Sequence, residues 1–191
     1  MLLPPATPWK RLLAFLLDYL VISVYIVTLT VVSMLILRSG AGPALTGLFA
    51  NPVRADLFAF LSLVLPVILY FAILESGPRQ ATWGKQRMRL CVTDEQGVRL
   101  TLPRALLRSV VKFLPWQIAH SSLFHIPGWP MNVVDVPTAS VIGFLVVWIL
   151  IFAWLGFLIF HPSQRAPYDL FAGSRVVHSP SAGSTGTARP S

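Results

Sequence analysis

Apolar stretches of membrane-spanning length alternate along this chain with shorter polar and basic ones. The first covers residues 12–37 and is uncharged except for Asp18, and three more cover residues 57–74, 104–126 and 139–160. A helix of about 20 apolar residues is long enough to cross the hydrocarbon core of a bilayer. The pattern therefore predicts an all-α membrane protein built as a bundle of four membrane helices.

The third apolar segment, residues 104–126, allows two interpretations. Arg104, Arg108 and Lys112 follow one another at intervals of four residues and form one basic stripe on its helix. The helix could lie in the membrane interface, or it could cross the bilayer with its cations extended back to the surface. In either arrangement we expect the stripe to contact anionic lipid headgroups.

Pro66 interrupts the backbone hydrogen bonds of the second segment and should free the carbonyl group of Ser62. Membrane helices tolerate such a break because groups on neighbouring helices can bond to the freed carbonyl. Between the first and second segments, residues 38–56 contain several glycines and prolines and are predicted to form a loop.

The remaining segments are polar. Residues 88–101 place the turn sequence Asp94–Gly97 between two short β-forming runs, which predicts a cytoplasmic β-hairpin packed on the membrane helices. Residues 1–8 contain three prolines and should be irregular, and the tail, residues 179–191, should be disordered. The predicted organisation is therefore one membrane domain over residues 9–178.

Composition and charge support a membrane protein. Of the residues, 55% are hydrophobic and 12% charged, against about 25% charged in soluble domains. The net charge of +8 does not indicate nucleic acid, because the cations follow the apolar segments. If the third segment crosses, Arg38 and Arg54 lie on one side and the other 13 of the 15 cations on the opposite side; otherwise ten oppose five. The positive-inside rule favours four crossings of a bacterial-type inner membrane with both termini cytoplasmic.

Asp18 is an acidic residue inside the first apolar segment, on the helix face that also carries Arg11, Ala14 and Tyr25. A carboxylate near the middle of a bilayer costs about 3 kcal/mol, so another group should compensate it. One interpretation is a titratable site that takes up Na⁺, Li⁺ or H⁺. The other is a buried acid that pairs with a cation and fixes how the helices dock.

Candidate partners lie near the cytoplasmic ends of the predicted helices. With four crossings, the charged residues on this side and close to the membrane include Arg11, Asp18, Glu75, Lys85, Asp169 and Arg175. Asp18 could pair with Lys85, and Arg11 could pair with Asp169. Asp169 could instead cap a short helix over residues 170–172.

No other group of residues indicates chemistry. His120 and His125 are five residues apart and do not share a helix face, and the chain has no HExxH or paired-Cys spacing that would hold a metal. Cys91 is the only cysteine, which excludes an internal disulfide. We therefore expect no metal, no cofactor and no enzymatic activity.

Three patches of sequence together resemble the RDD family of membrane proteins, which is named for one arginine and two aspartates. The patches are Arg11-x-x-Ala14-x-x-x-Asp18; Glu75-Ser76 with Ala81-Thr82-Trp83-Gly84-Lys85, leading to Arg104-Ala-Leu-Leu-Arg108; and Arg165-Ala-Pro-Tyr-Asp169-Leu-Phe-Ala-Gly173-Ser-Arg175. The resemblance covers about residues 9–177 and maps the family's named residues to Arg11, Asp18 and Asp169. Two departures are Arg89, where members often carry glycine, and the long link over residues 115–137.

The resemblance implies a membrane domain that is associated with sodium–proton antiport in some members and is fused to unrelated modules in others. The first functional hypothesis is a small cation/proton exchanger or transporter that uses Asp18 and acts as a homo-oligomer, because four helices enclose little space. The alternative is a non-catalytic module that anchors or assembles other proteins through its basic cytoplasmic face. Both involve anionic membrane lipids, and neither involves nucleic acid.

Overall fold

The computed structural model describes residues 3–129 and 132–179 and shows a mostly helical chain with a two-stranded antiparallel sheet. Parts of the predicted irregular lead and nearly all of the predicted tail, residues 1–2 and 180–191, lie outside this description. The elements in chain order are helices α1 (Pro8–Leu37), α2 (Gly42–Phe49), α3 (Pro52–Ala59), α4 (Leu65–Ser76) and α5 (Trp83–Arg87), strand β1 (Leu90–Asp94), helices α6 (Leu102–Phe124), α7 (Thr138–Phe160) and α8 (Pro167–Phe171), and strand β2 (Ser174–His178).

Within the described residues, three helices are long and apolar enough to cross a membrane: α1, the continuous rod made by α3 and α4, and α7. Their outward faces are rich in exposed apolar side chains, such as Val24 on α1 and Phe152 on α7. An exposed apolar surface of this extent suits a lipid environment. The prediction of a mostly helical chain with apolar helices of membrane-spanning length is therefore confirmed for three helices, and α6 is not among them.

The α3–α4 rod contains one wide turn, a π-helical turn at Phe60–Val64, just before Pro66. Proline has no backbone N–H group, so the carbonyl group of Ser62 loses its usual partner in the helix. The hydroxyl group of Tyr25 on α1 donates a hydrogen bond to this carbonyl. The prediction that a neighbouring helix satisfies the freed carbonyl is confirmed, and the bond joins α1 to the rod.

Helix α6 lies antiparallel to the α3–α4 rod. Near the Ser76 end of the rod, the Phe71 ring packs against Phe113 of α6 with 5.0 Å between ring centroids. Near the other end, Ser121 of α6 donates a 2.8 Å hydrogen bond to the Asp56 carboxylate. The two helices therefore stay in contact from one end of the rod towards the other.

Helix α7 returns along α6 through a close contact at Gly143. A Cβ atom at Gly143 would lie 1.9 Å from Oγ of Ser122, and Ser140, one turn earlier, is buried. The small residues let the two backbones approach closely, as is common between membrane helices. Residues 38–56, predicted as a loop, instead contain α2 and the first turn of α3, where the Asn51 side chain accepts hydrogen bonds from two backbone N–H groups.

The prediction of a β-hairpin over residues 88–101 is wrong in its pairing. The turn forms, because the Asp94 carboxylate accepts a 2.8 Å bond from the backbone N–H group of Val98, but the returning strand is reduced to a single bridge. Strand β1 pairs instead with β2, with Leu90 opposite His178 and Asp94 opposite Ser174. Strand β2 supplies two adjacent buried valines, whereas Val98 is exposed, so pairing with β2 buries more apolar surface.

The N-terminal lead, predicted to be irregular, reaches the sheet. The N–H group of Ala6 donates a 2.9 Å bond to the carbonyl group of Val176, and Pro5 bridges Val177. The core beneath the sheet contains apolar side chains from the lead, both strands and the helices: Ala6, Ala14, Ala72, Leu90, Val92, Leu100, Ala105 and Val176. The sheet thus joins both ends of the described chain to the ends of the helices.

Candidate functional site

The Asp18 carboxylate is completely buried and accepts hydrogen bonds from three groups that carry no charge. The hydroxyl groups of Tyr70 and Thr82 donate at 2.9 and 2.6 Å, and the backbone N–H group of Gly84 donates at 2.7 Å. Asp18 does not pair with Lys85, because Lys85 binds Glu75. Asp18 therefore holds α4 and α5 against α1 through neutral donors.

Gly84 is required by this close approach. A Cβ atom there would lie 2.1 Å from the carbonyl oxygen of Ala14 and 2.9 Å from Cγ of Asp18. Thr82 and Gly84 stand at the start of α5, where the first N–H groups of a helix have no partner inside it. The sequence around residue 83 thus starts a short helix whose free N–H group meets the Asp18 carboxylate.

Five charged side chains, each from a different helix, form a buried ion cluster: Arg11 of α1, Glu75 of α4, Lys85 of α5, Arg108 of α6 and Asp169 of α8. Arg11 pairs with Asp169, as one of the predicted alternatives had it, and also donates a 2.7 Å bond to the carbonyl group of Gln164. Lys85 lies 2.7 Å from Glu75. The cluster has one more cation than carboxylate.

Arg108 is the central member of the buried ion cluster. Its guanidinium group contacts Glu75 and donates to Asp169 from Nη2 at 2.7 Å and from Nε at 3.0 Å. Arg108 as a whole residue is 1% exposed. A buried guanidinium group is stable when several acceptors match its planar geometry.

The predicted lipid-facing stripe is therefore wrong for Arg108, because two carboxylates hold this side chain inside the protein. Arg104 is half-buried and donates to the carbonyl groups of Ala172 and Gly173 at 3.0 and 2.7 Å. Lys112 is partly buried, with its ammonium group 3.6 Å from the centre of the Phe71 ring. The three cations share a helix face, on which Arg108 is buried and Arg104 and Lys112 are only partly buried.

Asp169 belongs to the buried ion cluster and also bonds to the backbone at the start of α8. The prediction that it precedes and caps a helix over residues 170–172 is wrong in its bounds, because α8 is Pro167–Phe171 and Asp169 lies in its first turn. Its Oδ2 atom accepts a 3.2 Å bond from the backbone N–H group of Ala166 and a bond from Arg11. Burial alone would raise the pKa of Asp169, but the charges of Arg11 and Arg108 outweigh it and lower this pKa to about 2. Asp169 is therefore ionised at neutral pH.

Arg175 lies apart from the buried ion cluster. It stands on β2 opposite Thr93, and its Nε atom is buried without a hydrogen-bond partner in residues 3–129 and 132–179. Of the predicted candidates on this side of the chain, the structure thus brings together Arg11, Glu75, Lys85 and Asp169 and leaves Arg175 outside.

A groove of about 610 Å³ lies beside the cluster, between α1, α6 and α7. We call it the lateral groove. Among residues 3–129 and 132–179, the charged side chains that line it are Arg11, Lys85, Arg108 and Lys112, and no carboxylate does so. The electrostatics of this lining oppose a metal cation and suit an anion. Within the described residues, no three His, Cys, Asp or Glu side chains come together as a metal site.

Sequence reasoning missed the role of Arg108 and the donors Tyr70 and Thr82. A signal was present for Arg108, since the small residues Ala105 and Ser109 share a helix face adjacent to it, and small residues are typical of packed helix surfaces. No comparable signal identified Tyr70, because its contact with Asp18 depends on how α4 packs against α1.

Comparison with known proteins identifies the family. No curated protein and no solved structure matches the chain. The sequence model of the RDD family matches residues 5–173, a range that includes every member of the buried ion cluster and Asp18. The chain therefore belongs to the RDD family.

Proposed function

We propose that the protein is a multi-pass protein of a bacterial inner membrane in which α6 is a fourth crossing and both termini are cytoplasmic. The contact of α6 with the α3–α4 rod towards both ends of the rod supports this arrangement. The buried ion cluster also supports it, because the start of α1, the end of the rod, the first turns of α6 and the segment after α7 all meet there. Four crossings bring these four positions to one side.

Thiol labelling in intact cells tests this topology. In a Cys91→Ser background, Asn132→Cys should react with an impermeant thiol reagent added outside, because the α6–α7 link would be periplasmic. Gln96→Cys, in the exposed turn after β1, is the matched control and should react only after permeabilisation. The opposite pattern would reverse the orientation, and equal protection of both positions would exclude a crossing by α6.

For the activity, we propose a non-catalytic module that anchors or assembles other proteins. The observation that carries this proposal is that every carboxylate oxygen of Asp18, Glu75 and Asp169 accepts a hydrogen bond from the protein itself. Binding Na⁺ or Li⁺ would require displacing these donors from a buried site. Acids bonded in this way suit a role in holding helices together.

The surface beside the cluster is basic and exposed, and it fits an acidic partner segment. Its exposed cations are Lys10, Arg79, Arg87, Arg89 and Arg99. Opposite charge on a partner speeds association and fixes its orientation. The proposed partner is therefore a protein with an acidic segment on the cytoplasmic side.

Purification in mild detergent tests the assembly proposal. The wild type should retain a stoichiometric protein partner, and reversing Arg79, Arg87 and Arg89 together to Glu should release it. Arg54→Glu, a reversal in α3 at the other end of the rod, is the control and should retain the partner. Equal retention by both variants would contradict a role for the basic face.

The second candidate function is cation/proton exchange at Asp18, with the protein acting as a homo-oligomer. The observation in its favour is that Asp18 is a buried acid bonded only by neutral donors, and acids inside membrane segments are often proton or ion sites. Proteoliposomes test it through sodium- or lithium-driven proton movement. Flux by the wild type, none by folded Asp18→Asn and partial flux by Asp18→Glu would establish exchange, whereas no flux by the wild type would exclude it.

A further inference from the structure

The lateral groove has an apolar wall and a charged floor. Leu12 and Phe15 line it from α1, and Val147, Ile151 and Leu155 line it from α7. At one end of α6 the groove meets the buried ion cluster, and further along α6 it is bordered by Trp116, Ala119 and His120. Helices α1 and α7 are both candidate membrane spans, so the groove lies within the membrane region.

Lys112 differs from the other cations that line the groove. Arg11, Lys85 and Arg108 each bind a carboxylate. Lys112 has no salt bridge and donates no hydrogen bond within the part of the chain that the structure describes, and its ammonium group lies 3.6 Å from the centre of the Phe71 ring.

An ammonium group has three donors and no acceptor. Aromatic rings offset part of the cost of burying its charge, and Lys112 also lies 4.7 Å from the centre of the Phe15 ring. Three hydrogen-bond donors remain unused, however, and a partly buried cation is stabilised by a bonded anion. The lining of the groove is therefore suited to an acid group beside Lys112.

The apolar part of the lining sets the nature of the molecule that carries this acid group. Phe15, Trp116, Val147 and Ile151 offer surface to a hydrocarbon chain. A volume of about 610 Å³ is within the range of ordinary ligand sites. One unpaired cation matches one negative charge. These features together describe a lipid with a singly charged headgroup.

We propose that the lateral groove binds one anionic phospholipid, with the headgroup phosphodiester on the ammonium group of Lys112 and an acyl chain between α1 and α7. This inference does not depend on the proposed function. It replaces the exposed lipid-contact stripe with an internal site, in which Lys112 alone of the three predicted residues contacts the headgroup.

Native mass spectrometry with defined lipids tests the site, using phosphatidylglycerol and phosphatidylcholine as probes. The wild type should retain one phosphatidylglycerol and bind it about tenfold more tightly than phosphatidylcholine. Lys112→Met should lose this preference. Lys10→Met, which removes the same charge from an exposed position on the first turn of α1, is the matched control and should keep it.

Thermal unfolding in neutral detergent separates a lipid site from a purely structural lysine. If Lys112 serves a lipid, Lys112→Met should be at least as stable as the wild type without lipid, and phosphatidylglycerol should raise the Tm of the wild type only. Ala119→Phe, which fills the groove without changing charge, should also abolish the lipid-dependent rise.

Four results would overturn the proposal. Three of them are equal binding of the two lipids by the wild type, unchanged phosphatidylglycerol binding by Lys112→Met, and a dimer whose interface covers the groove. Tighter binding of oleate than of phosphatidylglycerol would also overturn it, because the acid would then come from a fatty acid rather than a phospholipid.

Discussion

At the scale of single residues, Arg108 shows how a cation can be buried among membrane helices. Its planar guanidinium group reaches Glu75 on one side and Asp169 on the other. A lysine at this position would offer a single charged point and could not hold both carboxylates in the same geometry. The arginine therefore links α4, α6 and α8 through one side chain.

Removing the Arg108 charge should be costly. Arg108→Met is expected to lower the free energy of unfolding by about 4 kcal/mol, because it leaves two buried carboxylates short of a partner. Unfolding in detergent micelles measures the effect. Arg99→Met, at an exposed cation outside the buried ion cluster, should change stability by no more than about 0.5 kcal/mol. Similar losses in the two variants would contradict the central role of Arg108.

Asp169 should make the protein less stable as the pH falls into the acid range. The pKa of Asp169 is lowered from 3.8 to about 2 in the folded protein. The contribution of its charge to the free energy of unfolding is therefore complete above the pKa of the unfolded chain and is lost as the pH falls towards 2. The contribution is about 2 kcal/mol, at roughly 1.4 kcal/mol per pH unit. Unfolding measured from pH 6 to pH 2 should show wild type and Asp169→Asn converging in stability. A constant difference between them would contradict this assignment.

At the scale of elements, the contact between α6 and α7 depends on the lack of a side chain at Gly143. Gly143→Ala should destabilise the protein by about 1–3 kcal/mol, because the new methyl group would overlap Ser122. Gly156→Ala on the same helix has nothing within 4 Å of the added atom and should stabilise by about 0.5 kcal/mol. Thermal unfolding of both variants checks the opposite signs, and equal signs would be inconsistent with the contact.

The bond from Tyr25 to the α3–α4 rod has a defined cause, the missing N–H group of Pro66. Tyr25→Phe should cost about 1–2 kcal/mol by leaving the Ser62 carbonyl without a partner. The same substitution in a Pro66→Ala background should cost less, because residue 66 then offers an N–H group of its own. A double-mutant cycle measures this coupling. Strict additivity would show that the two features are independent.

The membrane helices were predictable because each corresponds to one continuous apolar stretch of the sequence. Residues 139–160, for example, are uncharged throughout, and the helix observed there begins at Thr138 and ends at Phe160. The partner of β1 was not predictable in this way. A possible hairpin strand follows β1 after only a few residues. The sequence around β1 does not indicate that a strand near residue 176 forms the better pair.

The sequence predicted which residues belong to the buried ion cluster better than it predicted which of them pair with each other. Arg11 with Asp169 could be inferred because both charges border apolar segments on the same predicted side. Arg108 was misassigned because a cation spaced regularly with Arg104 and Lys112 looks like a surface stripe. Whether such a stripe faces lipid or protein depends on what the neighbouring helices bring to it, here Glu75 and Asp169.

At the scale of the whole molecule, contacts between distant parts of the chain close the end that carries the sheet. Strand β2 pairs with β1 on one side and with residues 4–6 on the other. Asp169, just before β2, holds Arg11 and Arg108. The last 20 or so described residues thus complete both the sheet and the buried ion cluster.

Truncation should reveal this dependence through Cys91, which is buried and lies opposite Val177 in the sheet. A chain that ends at Phe160 lacks Asp169 and β2, so its Cys91 should react with a thiol reagent in detergent. A chain that ends at Ser179 keeps both and should leave Cys91 as unreactive as in the full chain. If both truncated chains remained unreactive, the sheet would not be what protects this cysteine.

The pairing of Arg11 with Asp169, which are 158 residues apart, has a consequence for biosynthesis. At about 5–20 residues per second, the ribosome makes Arg11 roughly 10–30 s before its carboxylate partner exists. Helix α1 is therefore made while Arg11 still lacks its carboxylate partner, whereas Arg108 follows Glu75, one of its two partners, in the chain. A chain terminated before Asp169 keeps Arg11 unpaired, which distinguishes it chemically from a chain that extends past this residue. Synthesis of the segment that carries Asp169 is thus the event that supplies the counter-charge of Arg11.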